Sequence, residues 1–261
     1  MSEIRIGVQV QPQHASYDAM RRAWAEAEEI GADMVFTWDH FYPLYGDADG
    51  THFESLALQA AMAEVTERAQ IGALVMCNSY RNPQYLADAL RTIDHISGGR
   101  LIAGLGAGWF ERDYDEYGYE FGTAPDRLRA LRRDLPRFKA RLAKLNPGPV
   151  GPMPIMIGGT GEKVTLRLVA EHARFWHGFG DAARYRAKRE VLDGHCAALG
   201  RDPGDVIHSW GIPQGRLEDA EELADAGVRL LTVSVGGDDR ADYDLTTVKQ
   251  VLRWRDERNA R

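Results

Sequence analysis

Two cysteines, Cys77 and Cys196, are too few and too far apart to frame a disulfide-stapled fold in a chain of 261 residues. Both are expected as buried thiols in a reduced, cytoplasmic protein. No apolar run reaches the roughly 20 residues that a membrane span needs. Nor does a basic segment with an apolar stretch precede the strand-like run that begins at Ile4, as secretion would require. Positive charge is short as well: the formal net charge is -7, which works against bulk attraction to nucleic acid or anionic membrane. An anionic ligand would have to be held by local dipoles and a few placed cations. Metal signatures are missing, because the eight histidines, among them His14, His40, His52 and His95, show neither H-x-x-x-H nor H-E-x-x-H spacing. There is also no G-x-S-x-G elbow and no G-x-x-x-x-G-K-[ST] phosphate loop.

What the chain has instead is a repeating unit: a short apolar strand, a polar or glycine-rich exit, then an amphipathic helix. The pattern predicts strands at 4–10, 34–38, 69–75, 101–105, 154–157, 175–179, 206–211 and 230–235. It predicts helices at 17–30, 53–65, 84–96, 127–145, 162–172, 182–199, 217–226 and 247–259. A crossover helix after every strand returns the chain to the same end of the sheet, so the strands are parallel. Eight such units in one chain of this size suit a closed α/β barrel of the (β/α)8 TIM type, a single domain over residues 1–261. The proline- and glycine-dense stretch 146–154, NPGPVGPMP, is too short for an interdomain tether and suits a helix-to-strand loop. An open dinucleotide-binding sheet is the rival. It needs G-x-G-x-x-G, normally at the first strand, whereas Trp109 takes the last glycine's place in GLGAGW at the fourth.

Barrel sites are built at the C-terminal ends of strands, which turns the sequence into a set of exits. They carry Gln9 and Gln11, Asp39 and His40, the stretch 76–80, Gly106 to Trp109, Gly158 to Gly161, His177, Trp210, and Gly236 to Asp239. In DHISGGRLIAGLGAGW, alternating Gly104, Gly106 and Gly108 are expected to leave a smooth surface for a flat or anionic group. Asp39 and His40 put a carboxylate beside a group that titrates near neutral pH, among Trp38, Phe41, Tyr42 and Tyr45. A local loop cap is the alternative for Asp39. IGGTGEK places Gly158, Gly159 and Gly161 just before a helix expected to begin near Glu162, which is the composition of an anion site, or of a tight turn.

Several of these segments together resemble the luciferase-like monooxygenase superfamily, and within it the branch that uses the deazaflavin coenzyme F420. The resemblance is strongest over RNPQYLADALRTIDHISGGRLIAGLGAGW, with TWDH and IGGTGEK falling at the matching strands. It implies a flavin-type ring lying across the barrel mouth. Asp39 would contact the ring and His40 would donate a proton; Glu111 and Tyr114 are fallback donors that no matching motif supports. Ala73 and Leu74 would form a bulge with a non-prolyl cis peptide behind the ring, and Met76 would meet its edge. Ala107 and Gly108 would meet the cofactor's tail, and Gly158, Gly159, Gly161 and Glu162 its phosphate. The implied activity is hydride transfer between C5 of F420 and a small organic substrate. FMN in an oxygen-activating monooxygenase, or a cofactor-binding protein without turnover, are the alternatives. Trp38, Tyr42, Trp109, Phe110 and Tyr114 are candidates for an apolar wall. Trp109 stands where sugar-phosphate dehydrogenases of that branch carry a glutamate, so a hexose phosphate is not the expected substrate. The family tendency and the alanine-rich LALQAAMAE helix suggest a homodimer.

Overall fold

The computed structural model describes residues 3–212, 215–238 and 242–261. Its strands are β1 (Arg5–Val10), β2 (Met34–Thr37), β3 (Gln70–Ala73), β4 (Met76–Cys77), β5 (Leu101–Gly106), β6 (Ile155–Gly158), β7 (Phe175–Phe179), β8 (Ile207–Gly211) and β9 (Leu230–Val235). The helices are α1 (Tyr17–Glu29), α2 (Ser55–Val65), α3 (Pro83–Ile96), α4 (Glu111–Tyr117), α5 (Ala124–Leu142), α6 (Thr165–His172), α7 (Ala182–Ala198), α8 (Leu217–Ala226) and α9 (Thr246–Asn259). All strand pairings are parallel, β1 pairs with both β2 and β9, and the β3–β5 pairing closes the sheet into a barrel.

The predicted third strand is two pieces, β3 and β4, that share one place in the barrel. Ile71 pairs with Leu101 and Met76 with Leu105, so five steps on one side answer four on the other. That is one extra residue, a β-bulge, at Leu74 and Val75. A cis peptide joins these two residues, one position beyond the Ala73–Leu74 pair expected from the resemblance. Asn146–Pro147 is also cis.

Two helix starts show how a cap sets a boundary. Asn82 accepts from the amides of Gln84 and Tyr85 with Pro83 in the first turn, which is the structural content of the Asn-Pro dipeptide. A Thr123–Asp126 capping box begins α5 at Ala124, three residues before the expected start. Helix α4 was not expected at all, and α6 begins at Thr165 rather than near Glu162.

Two apolar layers hold the barrel. Met34, Phe36, Ile102, Met156, Phe175 and Leu230 fill its interior, and a larger cluster lies between sheet and helices. At the N-terminal end of β5, Arg100 of the SGGR motif donates to the carbonyls of Ala63, Thr66, Ala69 and Ser97 and to the Thr66 hydroxyl. This guanidinium ties α2, β3 and β5 together at the end opposite the exits, so the motif serves the scaffold. Among the described residues no helix is long and apolar enough to cross a membrane.

Candidate active site

The glycines of β5 make room for the protein itself. A Cβ on Gly104 would strike the Ala73 carbonyl oxygen, and one on Gly106 would sit 2.6 Å from Val75 Cγ2. Gly158 on β6 has the same neighbour, with Val75 Cγ2 at 2.9 Å. At Gly108, φ is +84°, and a Cβ would meet the Tyr114 hydroxyl and Cys77 Sγ. The smooth surface expected at this exit is thus taken up by the bulge, which seats Val75 between β5 and β6. Gln9 on β1 supports the bulge: its Nε2 donates to the Leu74 carbonyl at 3.2 Å and its Oε1 accepts from the Ser234 hydroxyl at 2.5 Å. Leu74 and Val75 remain half-buried, whereas Ala73 is buried in the outer layer.

His40 leaves β2 into a ring-lined niche. The Trp38, Trp109 and Phe110 rings stand edge-on to it, with centroids at 5.9, 5.7 and 5.5 Å. Its Nδ1 is 2.7 Å from Asp113 Oδ2. Asp113, fully buried on α4, also accepts from the amides of Phe41 and Tyr42 and from the Tyr80 hydroxyl. A carboxylate in this setting only accepts, so Nδ1 carries the proton that joins the pair and Nε2 is the nitrogen left for chemistry. The His40 side chain keeps 12% of its surface exposed.

Asp39 is 1% exposed and committed. Arg81 grips its two oxygens at 2.7 and 2.9 Å and the Cys77 amide donates at 2.8 Å. Burial pushes the Asp39 carboxyl up from its usual range, against the pull of Arg81 and the Cys77 amide. Burial also opposes charge on Arg81, but Asp39 and Glu54 overcome it and raise its pKa. Asp39 therefore anchors β4 and Arg81 to the second exit. Met76 Sδ accepts from Gln59 Nε2 at 3.1 Å and Ser55 Oγ at 3.5 Å, which commits its side chain to α2. Trp210 is buried on the outer side of the sheet, where its Nε1 donates to the Gly180 carbonyl. Neither side chain belongs to the mouth.

His177 ends inside the barrel, half-buried, with Nδ1 2.9 Å from Ser209 Oγ. Burial lowers its pKa to about 4, so this imidazole is neutral at pH 7. Ala107 is half-buried at the β5 exit, and the neighbouring Gly108 carbonyl accepts from Arg127 Nε at 3.1 Å. Of the last exit, Gly236 to Asp239, Asp239 lies outside the described residues.

After β6, Gly159 takes φ +120° and its amide bonds the His177 carbonyl at 2.9 Å. The amides of Thr160, Gly161, Glu162 and Lys163 meet no partner among the described residues. They form an exposed run of donors before α6, the arrangement that binds phosphate. Arg184 on α7 reaches Thr160 Oγ1 at 3.0 Å, and Lys188 reaches Glu162 at 2.5 Å. Glu162 is exposed and its carboxyl is lowered by Lys188, so it can offer an anion its amide but not its carboxylate.

Asp113, Arg81 and Val75 are the residues that sequence reasoning missed. Asp113 sits in ERDYDEY, which has no apolar periodicity to announce a helix, and its bond to His40 spans 73 positions.

The family model of luciferase-like monooxygenases matches residues 1–242. An F420-dependent glucose-6-phosphate dehydrogenase of Amycolatopsis mediterranei is 35% identical over 120 residues, 46% of this chain and 32% of that protein. Its counterpart in Rhodococcus erythropolis is 31% identical over 156 residues, 53% of this chain and 46% of that one. The matches thus span a third to a half of these curated relatives' length. Among solved structures, an F420-dependent secondary alcohol dehydrogenase superposes with a TM-score of 0.79 at 16% identity, covering 90% of this chain and 94% of that one. The coenzyme F420-dependent tetrahydromethanopterin reductase of Methanopyrus kandleri gives 0.76 at 15%, covering 97% and 98%. At such identities the likeness is one of fold.

Proposed function

The chain belongs to the luciferase-like monooxygenase family, and on that basis we propose that it is an oxidoreductase that uses coenzyme F420 to move a hydride to or from a small organic substrate. The observation that carries this reading is the run of unpartnered amides from Thr160 to Lys163 with Arg184 and Lys188 beside it. It suits the phosphate of an anionic cofactor on a chain that otherwise repels anions. The half-buried Leu74–Val75 bulge, braced by Gln9, offers an apolar support for a ring. The curated relatives named as F420-dependent dehydrogenases support the choice of cofactor.

When bound, the deazaflavin supplies or takes two electrons as a hydride at C5. The protein's own residues do the rest. The glycine loop binds and orients, the rings around His40 keep water from the niche, and His40 gives or takes a proton at Nε2. Asp113 fixes the ring so that Nε2 stays presented.

Fluorescence titration of the purified protein with F420 and with FMN tests the proposal. Micromolar or tighter F420 binding with at least tenfold weaker FMN binding is expected. Tight FMN binding with no F420 response overturns it in favour of a monooxygenase, and F420 binding without turnover of any substrate indicates a carrier or sensor. We further propose a homodimer in the cytoplasm, which light scattering and cell fractionation check.

A further inference from the structure

The mouth is chemically divided. Residues 38–52 and 107–121, which follow β2 and β5, hold ten aromatic residues and eight carboxylates against a single guanidinium, Arg112. Arg112 is not available to a ligand, since it pairs with Asp49, donates to the Ala48 carbonyl and lies 4.1 Å over the Tyr42 ring. The nearest other cations are equally engaged. Arg81 is held by Asp39 and Glu54, and Arg127 by the Gly108, Phe121 and Gly122 carbonyls with its guanidinium 3.9 Å over the Phe121 ring. Lys163, Arg184 and Lys188, the cations that could meet a phosphate, all belong to the other arc, beside the glycine loop.

In the acidic arc Tyr45, Trp109 and Tyr117 are exposed, and of these Trp109 is the one whose ring meets His40. Trp109 is 62% exposed, yet its ring centroid is 5.7 Å from that of His40. An exposed indole beside a proton-donating group is an unfilled contact for a flat apolar partner. Carboxylates on the same arc, Glu111 and Asp115 among them, raise the cost of bringing an anion there, since like charges repel. Rings and carboxylates together select for planarity and against negative charge.

We infer that the substrate half of the mouth takes a planar, uncharged conjugated carbonyl compound, laid on Trp109 beside His40, and rejects phosphate esters and other anions. The inference rests on the reading that a bound reduced deazaflavin supplies the hydride. The substrate's β-carbon gains that hydride, its carbon–carbon π bond breaks, and its α-carbon takes the Nε2 proton of a His40 imidazolium whose Nδ1–H stays on Asp113. The substrate is reduced by two electrons, the deazaflavin is oxidised by two, and His40 recovers a proton from solvent.

The test compares two planar ligands that differ in charge, benzylideneacetone and cinnamate, by calorimetric titration of the protein with and without oxidised F420. The ketone should bind at least tenfold more tightly than cinnamate. Trp109→Ala should weaken ketone binding at least tenfold while changing F420 affinity less than threefold, and Glu111→Lys with Asp115→Lys should strengthen cinnamate binding at least fivefold. With reduced F420, the ketone should exceed any phosphate ester in kcat/KM by at least a hundredfold. Equal binding of ketone and cinnamate, indifference to Trp109→Ala, or a phosphate ester as the better substrate overturns the inference. Trp109-dependent ketone binding without F420 binding removes the cofactor reading and leaves the recognition standing. F420 binding with the two ligands indistinguishable does the reverse.

Discussion

His40 and Asp113 meet at 2.7 Å across 73 positions of sequence, and the carboxylate in the pair also gathers two backbone amides and the Tyr80 hydroxyl. One buried group thus sets both the fold of the second exit and the ring orientation of the proposed proton donor. His40→Ala should slow turnover by about a hundredfold or more and leave F420 affinity within a few-fold. Asp113→Asn should slow turnover by about tenfold or more, again with affinity kept, and should destabilise by roughly 1–3 kcal/mol because an amide cannot accept from all four donors. Stopped-flow kinetics, fluorescence titration and urea unfolding separate the three quantities. Unchanged turnover in either variant removes the dyad from the mechanism.

The glycine loop makes a sharper demand on binding than on stability. Gly159 sits at φ +120°, and a Cβ there would lie 3.2 Å from Thr165 Cγ2. Gly159→Val should therefore weaken F420 binding by at least tenfold, since a side chain rarely adopts that conformation and the loop must shift. If affinity measured by fluorescence is unaltered, the loop is only a turn.

Packing around the bulge predicts a compensating pair. Gly106→Ala places a methyl 2.6 Å from Val75 Cγ2 and should cost about 1–3 kcal/mol by overpacking. Adding Val75→Ala should recover part of that loss, giving a coupling of about 0.5–3 kcal/mol in a double-mutant cycle followed by denaturant unfolding. Additive effects would show that the two positions do not touch.

Acid should destabilise the protein above the usual carboxylate range. Burial lowers the pKa of His52, His177 and His208 to about 4 each. Between pH 6.5 and 4 the unfolded chain binds protons that these imidazoles refuse in the fold, so their contribution is complete above 6.5 and is lost as pH falls. Urea midpoints should drop from pH 7 to pH 5. The drop should be shallower in His208→Gln, which removes an imidazole packed with Trp176 and bonded to Tyr185. A flat profile would show that the three rings are solvated.

The barrel was legible in the sequence because each strand's apolar run and each helix's periodic face are local signals. Their boundaries failed where a cap decided them, as at Thr123. His40 and the glycine loop could be nominated from residue type and place in the repeat, and the structure brings them to the same end of the barrel. Asp39 and Met76 could be nominated too, but which way a side chain is committed depends on Arg81 in one case and on Ser55 and Gln59 in the other. The glycines of β5 were read as room for a flat or anionic group, and the structure fills that room with the protein itself. What fills that space, Ala73 and Val75, comes from a neighbouring strand and has no trace in the local pattern.

The extra residue at the bulge makes that neighbouring strand run in two phases. Below it Gly72 points into the barrel and Ala73 into the helical layer, and above it Met76 has taken the outward place although its even number would have turned it inward. Deleting one of Leu74 and Val75 would restore strict alternation with Met76 still outward, but would leave one apolar side chain where two now face β5 and β6. This strand can therefore change by substitution but not in length, and its length sets the shape of the mouth's floor.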